Sequence, residues 1–472
     1  MRELDRIFKT NRKVVCVQGL GFVGSAMSVA IASARNEENE PVYNVIGIDV
    51  PGEAGFKKAS SINDGVFPFE NSDKKLEMKL KEAASIGNLK ATTDKEYFAY
   101  ADVVVVDINL DVKYDDNGAP YLDLTLFKDA MRTIGSHIKE NALVLVETTV
   151  PPGTCQRVVK PIIREEFRKR GLPGEPHIAH SYERVMPGEN YLDSIISYWR
   201  VYSGIDDESA EMCRSFLESV IKTDEYPLTR LKNTNSTETA KVLENSYRAT
   251  TIAFMEEWGR FAEAVDVDLF EVVDAIRMRP THSNMRQPGF GVGGYCLTKD
   301  PYFAMLASRE LFNRNDLEFP FSTMAVRLNN RMPIVSVDYI ERFLGGLENK
   351  KILLLGVSYR QDVGDTRYSP SEIFAREVIR RGGIMSYQDP LVSNWAEMGI
   401  IVNKDIPSFE DFDAVVFAVQ HKEYSDIDFS GIHTAKKLLI FDSNRVLKDN
   451  QIDAIKNNES LIFKSIGRGT EL

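Results

Sequence analysis

The stretch VVCVQGLGFVGSA constrains the fold of this chain more than any other. Gly19, Gly21 and Gly24 stand between a β-branched run, Val14 to Val17, and an Ala-rich helical pattern. The spacing G-x-G-x-x-G suits the first strand-turn-helix of a dinucleotide-binding sheet, where glycines let backbone approach a diphosphate at a helix N-terminus. Further runs, VIGIDV, ADVVVVDI and ALVLVET, alternate with helical patterns. That rhythm reads as an α/β fold with a doubly wound parallel sheet. Asp49 closes the second run, placed to accept hydrogen bonds from ribose hydroxyls and to repel a 2′-phosphate, so NAD is the expected cofactor.

At 472 residues and 43% hydrophobic composition the chain has material for two or three cores. Its formal net charge of −12 argues against general binding to nucleic acid or to a membrane surface. The opening MRELDRIFKTNRK is charged and lacks the apolar core of a leader, and no run reaches the roughly 18 apolar residues of a membrane span. A cytoplasmic protein is expected. Cys16, Cys155, Cys213 and Cys296 are scattered without a C-x-x-C pair, so neither a disulfide framework nor a metal site is suggested. Three of them are expected to pack as small apolar residues.

From about Thr237 to Val265 the pattern is helical, with Val242, Leu243, Tyr247, Ile252, Phe254, Met255, Trp258 and Phe261 nearly all round it. A helix apolar on most faces is expected to be buried on most faces. It reads as the spine of an all-α middle region and a surface for dimerisation. After Met332 the β rhythm returns in KILLLGVSY, GIMSYQDP, DAVVFAVQ and KLLIFDSNR, a second α/β domain. Its first turn has only Gly356, so it is expected to hold a nucleotide rather than a second dinucleotide. The divisions expected are 1–210 for the NAD domain, 211–331 for the helical region and 332–472 for the nucleotide domain.

GVGGYCLTKDP, Gly291 to Pro301, sets Cys296 on a glycine-rich loop ahead of a predicted helix running through Phe312. Asp300 and Pro301 suit the N-cap and first position of that helix. Cys296 would then lie near a positive helix end and near Lys299, both favouring the nucleophilic thiolate. Lys241 and Asn245, at i and i+4, share one face of the long helix and could converge on one developing oxyanion.

With GLGFVG, NDGVFPFE (Asn63 to Glu70), ETTVPPGT (Glu147 to Thr154), SYERVMPG (Ser181 to Gly188), AKVLENSYR (Ala240 to Arg248) and SYRQDVGDTRYSP (Ser358 to Pro370) in order, the chain resembles the nucleotide-sugar 6-dehydrogenase family from end to end. The resemblance implies an N-terminal Rossmann NAD domain, a central helical dimerisation region, a C-terminal Rossmann-like UDP-sugar domain and a homodimer or higher oligomer. It implies that Cys296 is the nucleophile, that Asp300 serves water and proton transfer, and that Lys241 and Asn245 cradle the oxyanion. Glu183 matches the base of thioester hydrolysis and Thr149 the threonine of an S-T-V-P turn. Gly19, Gly21, Phe22, Val23, Gly24, Asp49 and Thr149 are the implied cofactor contacts. Arg184, His282, Gly291, Gly293, Lys299, Arg360 and Arg367 join Glu183, Lys241 and Asn245 as implied sugar-nucleotide contacts.

Departures from the family pattern are informative. Ile108, Asn109 and Leu110 replace a V-P-T-P-like turn, Tyr182 replaces a proline, and His282 stands where an arginine commonly reaches the partner's sugar. Arg360 replaces a lysine with its charge kept. S-x-E-R-x-x-P-G resembles the UDP-N-acetylhexosamine branch more than the UDP-glucose enzymes. Two NAD-dependent oxidations of a UDP-sugar through a cysteine thioester are the implied activity.

A first prediction follows from Asp49. The unmodified protein is expected to use NAD in preference to NADP, because a carboxylate at the end of the second strand favours ribose hydroxyls over a 2′-phosphate. Comparing kcat/KM for the two cofactors checks this, and equal use would refute it.

Overall fold

The computed structural model describes residues 11–70, 72–185 and 187–469. Met186 of the S-x-E-R-x-x-P-G motif and the start of the charged N-terminal segment lie outside the described residues. Clustering by proximity divides the chain into two units: residues 1–243 with 302–318, and residues 244–301 with 319–472.

The first unit is built on β1 (Lys13–Gln18), β2 (Tyr43–Ile48), β3 (Leu89–Thr92), β4 (Val103–Val106), β5 (Leu143–Val146), β6 (His177–His180), β7 (Val201–Gly204) and β8 (Thr229–Arg230). The sheet order is β8-β7-β6-β5-β4-β1-β2-β3. β1 to β6 are mutually parallel, and β7 runs antiparallel to β6. Val15, Val17, Val45, Val104, Val105, Leu143 and Leu145 are fully buried, as strands covered on both faces require. The chain reverses direction in the sheet between β1 and β4, so their C-terminal ends open a crevice of the kind where α/β sheets bind ligands. Helices α1 (Phe22–Ala32) and α2 (Glu53–Asn63) follow β1 and β2 and flank that crevice.

The second unit carries β9 (Lys351–Leu355), β10 (Ile384–Gln388), β11 (Ala414–Phe417), β12 (Leu438–Asp442) and β13 (Leu461–Ser465) in the order β10-β9-β11-β12-β13, all parallel. This is the other common doubly wound order, with its switch point between β9 and β11. The sequence rhythm of four strands was correct in kind; β13, LIFKS, completes the sheet.

Helix α3 (Thr234–Ala264) carries the chain from one unit into the next. Burial on most faces, expected from its composition, is not what it shows. Val242, Ala249, Ala253, Met255 and Ala262 are buried, whereas Leu243 is 65% exposed, Tyr247 56%, Phe254 51%, Trp258 47% and Phe261 57%. The small residues seat the helix, and the large ones form a separate apolar stripe. Periodicity records which positions are apolar and not what covers them.

The helix expected to start at Asp300 also differs. Asp300–Tyr302 forms a single 3-10 turn, and helix α4 (Phe303–Glu310) has Tyr302 at its N-cap with no side-chain cap bond. Two long helices complete the parts used below: α5 (Pro320–Leu344) and α6 (Pro370–Arg380). Among the described residues no helix is long and apolar enough to cross a membrane.

Candidate active site

In the first unit the turn after β1 meets a cavity of about 630 Å³ lined by Gln18, Gly19, Leu20, Gly21, Asp49, Lys58, Asp107, Ile108 and Asn109, among others. Gly19 has φ +96°, and a Cβ there would lie 2.4 Å from the Asp107 carbonyl oxygen; a Cβ on Gly24 would lie 1.9 Å from the Gly19 carbonyl oxygen. Neither position admits a side chain. A Cβ on Gly21 would meet nothing within 4 Å, because that position opens α1 without any side-chain cap. Backbone left bare at a helix start beside a cavity suits an anionic diphosphate. The residues therefore fit a dinucleotide, with Asp49 at the end of β2. Phe22 stacks on Phe69 at 4.1 Å, its carbonyl accepts from the Tyr191 hydroxyl, and Val23 continues the helix, so these two brace the turn. Thr149 is not in the wall of this cavity.

Acids crowd the strand ends behind it. Glu147, after β5, is fully buried against Arg200 at 3.1 Å, and burial pushes its carboxyl up to about 7 despite that partner. Asp107, after β4, is held well above the usual carboxylate range by burial and then by the nearby charges of Glu147 and Glu183. His180, after β6, hydrogen-bonds Thr237 Oγ1 through Nδ1 at 2.9 Å. Burial, and then the charge of Lys241, push it down to about 3, so it stays neutral.

Lys241 is 7% exposed, which excludes an ordinary solvated lysine. Its Nζ donates to the Glu183 carbonyl at 3.0 Å, lies 3.7 Å from Glu183 Oε1, and faces the Tyr182 ring at 5.3 Å. Tyr182, itself buried, thus supplies a π face where a proline was expected. Glu183 also accepts from the Val185 N–H, which curls the loop that carries Arg184; Arg184 donates to the Trp199 carbonyl.

Glu238, one turn before Lys241, escaped the sequence analysis. Fully buried, it accepts from the Gly153 N–H at 2.6 Å and the Cys155 N–H at 2.8 Å. It therefore pins the P-P-G-T turn that follows Thr149 to the start of α3. Nothing in T-E-T-A-K marks this glutamate apart from those on a solvated face.

In the second unit the GVGGYC loop is held in a shape only glycine allows. Cβ atoms on Gly293 and Gly294 would lie 2.7 and 2.8 Å from the Tyr359 side chain, and one on Gly291, at φ +143°, 3.1 Å from Pro370. Half-buried Cys296 opens a turn in which its carbonyl accepts from the Lys299 N–H at 3.2 Å and the Asp300 N–H at 2.9 Å. Asp300 is fully buried and is no helix cap: Oδ2 accepts from Asn245 Nδ2 at 2.7 Å and Oδ1 from Lys299 Nζ at 2.8 Å. Lys299, 5% exposed, also stands over the Tyr295 ring at 4.3 Å. Its charge is paired with Asp300 rather than left free for a thiolate. Tyr359 is pushed up to about 12 by burial, then by Asp365 and Cys296, which puts its phenol in the electrostatic neighbourhood of the cysteine. The other cysteines are buried, and burial drives their thiols upward, as packing residues require.

The same unit's strand ends hold the nucleotide candidates. Arg367 forms a fork with Asp365 and approaches the Tyr295 ring at 5.7 Å, while Arg360 is exposed on the loop after β9. That loop hangs from Asp389, which accepts from the N–H groups of Val357 at 2.8 Å and Ser358 at 3.0 Å and from His421 Nε2 at 3.2 Å. Neither Asp389 nor His421 was singled out from sequence. His282 sits on a short 3-10 turn with Nδ1 at 2.9 Å from the Thr281 hydroxyl.

A dinucleotide cradle on one sheet, and a cysteine beside a buried lysine-aspartate pair, are the equipment of an NAD-dependent oxidoreductase. Residues 13–221 match the NAD binding domain of the UDP-glucose/GDP-mannose dehydrogenase family, residues 235–331 its central domain and residues 353–449 its UDP binding domain, and the chain belongs to that family. The UDP-N-acetyl-D-mannosamine dehydrogenase of Pyrococcus horikoshii is 28% identical over 462 residues, 96% of this chain and 99% of that protein. The enzyme of the same name from Methanocaldococcus jannaschii is 28% identical over 439 residues, 92% of this chain and 93% of that protein. The solved structure of the Pyrococcus enzyme superimposes with a TM-score of 0.78 at 26% identity, covering 97% of this chain and 99% of the other. The NDP-N-acetyl-D-galactosaminuronic acid dehydrogenase of Methanosarcina mazei Go1 does so with 0.77 at 25% identity, covering 99% and 98%.

Glu238 yields a test of the buried turn. Burial raises its carboxyl from 4.5 to about 7, against the Cys155 and Gly153 N–H groups that lower it. A group raised in the fold contributes its full stability below the unfolded value and loses it as pH rises through the folded one. Glutamine does not titrate. Wild type is therefore expected to lose stability relative to Glu238→Gln between pH 5 and 8, by on the order of 3 kcal/mol. Urea melts of both proteins at the two pH values check this, and a constant difference would contradict it.

Proposed function

We propose that the protein oxidises the C6 hydroxyl of a UDP-hexose to a carboxylate in two NAD-dependent steps, and that the sugar is an N-acetylhexosamine. The observation that carries the chemistry is the Cys296 turn with the buried Asp300 held by Asn245 and Lys299. The sugar rests on the relatives: the enzymes of Pyrococcus and Methanocaldococcus are named for UDP-N-acetyl-D-mannosamine, and that of Ralstonia nicotianae for an N-acetyl-D-galactosaminuronic acid. UDP-glucose is the second reading.

NAD held on the Gly19–Gly24 turn, with Asp49 and Thr149 at its two ends, supplies the hydride acceptor for both oxidations. In the first, the O6 proton passes to a base of the site as the C6 hydride departs, leaving an aldehyde. Cys296 Sγ then bonds to C6, and the oxygen that becomes negative is met by Lys241 and Asn245. Addition makes C6 tetrahedral again, so it has a second hydride to lose, and a thioester results. Water, deprotonated through Asp300 or Glu183, attacks that carbonyl; the C–S bond breaks and Cys296 leaves as thiolate. Net, one water is consumed, two hydrides depart, three protons are released and a carboxylate remains.

Arg360 and Arg367 are assigned to the UDP phosphates, and Arg184, His282, Lys299, Gly291 and Gly293 to the remainder of the sugar nucleotide. Residues 1–210, 211–331 and 332–472 are assigned as NAD, helical and UDP domains. The apolar stripe of α3 supports a homodimer, since one helix presenting Tyr247, Phe254, Trp258 and Phe261 to water exposes a contiguous apolar face. We place the protein in the cytoplasm, where its cofactor and free thiols belong.

Purified protein is expected to form two NADH per UDP-N-acetylhexosamine consumed, with a lower kcat/KM for UDP-glucose. Cys296→Ser is expected to lower turnover by orders of magnitude while NAD and sugar nucleotide still bind, because an alkoxide is harder to form and a poorer leaving group than a thiolate. One NADH per substrate, or full turnover by the serine variant, would remove the thioester route. Separately, Lys241→Ala is expected to cost on the order of 10²–10³ in kcat with a small change in KM. Steady-state kinetics on the folded variant check this, and a kcat within about threefold of wild type would remove Lys241 from the oxyanion site.

A further inference from the structure

The cofactor cavity, taken as the NAD site of the preceding section, carries a charge that the carboxylate rule for Rossmann sheets does not include. Asp49 is already engaged on both oxygens. Oδ1 accepts from the Val50 N–H at 2.7 Å, and Oδ2 accepts from the Leu20 N–H at 3.2 Å and forms an ion pair with Lys58 Nζ. Lys58 belongs to α2 and lines the same cavity; its side chain is 24% exposed and that of Asp49 8%. Lys95 lines the cavity as well.

A lone carboxylate at the end of β2 accepts the ribose hydroxyls and repels a 2′-phosphate. Here an ammonium stands against that carboxylate, on the side that faces the ligand space. A ribose that hydrogen-bonds Asp49 must displace Lys58 from Oδ2. The displaced ammonium, on a flexible four-carbon stem, stays within reach of whatever the 2′-oxygen carries. Repulsion from Asp49 and attraction to Lys58 then act on a 2′-phosphate from comparable distances and largely offset each other.

We infer that Lys58 is a second determinant of cofactor specificity in this chain, an ammonium that takes the 2′-phosphate and so admits NADP to a site in which Asp49 keeps NAD the better ligand. The two residues divide the task. Asp49 sets affinity for the 2′-hydroxyl, and Lys58 sets the penalty for its phosphate ester.

The test is direct binding without sugar nucleotide, read by nucleotide fluorescence enhancement, for NADH and NADPH on full-length wild type, Lys58→Ala and Lys58→Arg. Wild type should bind both, NADH more tightly. Lys58→Ala should weaken NADPH by about 10–100-fold, the loss expected for one charge-assisted pair, and leave NADH within about threefold. Lys58→Arg should retain NADPH, and its retention separates a phosphate contact from a structural role for the side chain. Wild type that binds NADH but no NADPH at millimolar concentration overturns the inference alone. Equal weakening of both nucleotides by Lys58→Ala, with loss in Lys58→Arg too, also overturns it, since that is the pattern of a brace for α2. Failure of wild type to bind even NADH overturns the assignment of the cavity itself, and the inference with it.

Discussion

A carboxylate with no access to water must be met by donors, and that requirement organises the chemistry-bearing parts of both units. Asp300 is fully buried, so Asn245 and Lys299 must come to it, and the turn that opens at Cys296 is thereby fastened to α3. Leaving either donor out would strand a buried charge, at several times the cost of an ordinary lost hydrogen bond. Glu238 does the converse. It is a buried carboxylate on α3 that gathers the Gly153 and Cys155 N–H groups, fixing the turn after Thr149. In each unit the loop with a proposed chemical role is shaped by where a helix residue demands or supplies a proton.

The electrostatics of the first unit point the same way. Asp107, Glu147 and Glu183 gather behind the cofactor turn with one buried guanidinium, Arg200, among them. Too few positive charges face these acids for all to ionise cheaply, and so burial and mutual repulsion raise Asp107 and Glu147. A reservoir of protons sits beside the place where a hydride and a proton are proposed to part. Neutral His180 does not add to it, since Lys241 and burial keep its ring uncharged.

Much of this was legible in the sequence, for identifiable reasons. Buried parallel strands leave unbroken runs such as VVVV at Val103–Val106 and LVLV at Leu143–Val146, and a turn that excludes a Cβ at Gly19 and Gly24 can be written only with glycine. Asp300 was misread as a cap because D-P is a local signature, whereas its partner Asn245 lies 55 residues away. The burial of α3 was overestimated because its small residues, Ala249 and Ala253, do the seating while its aromatics stay exposed. Glu238, Lys58, Asp389 and His421 were invisible for a common reason. Each acts through a partner distant in sequence, and none differs locally from a surface residue.

The segment Tyr302–Glu318 belongs to the first unit although the residues on both sides of it belong to the second. Glu310 Oε1 accepts from the Leu122 N–H at 3.2 Å, and the Phe312 ring lies under Arg157 at 4.3 Å and against Gly153. A nascent chain therefore cannot finish its N-terminal unit when that unit's sheet has left the ribosome. It must first make the rest of α3 and the Cys296 loop, and only then receive the piece that closes over the turn beside Thr149. During that interval the sheet stands with one flank uncovered, while the polypeptide being added belongs to its neighbour. The order of synthesis and the order of assembly are thus out of step in this protein, and its two units must mature together.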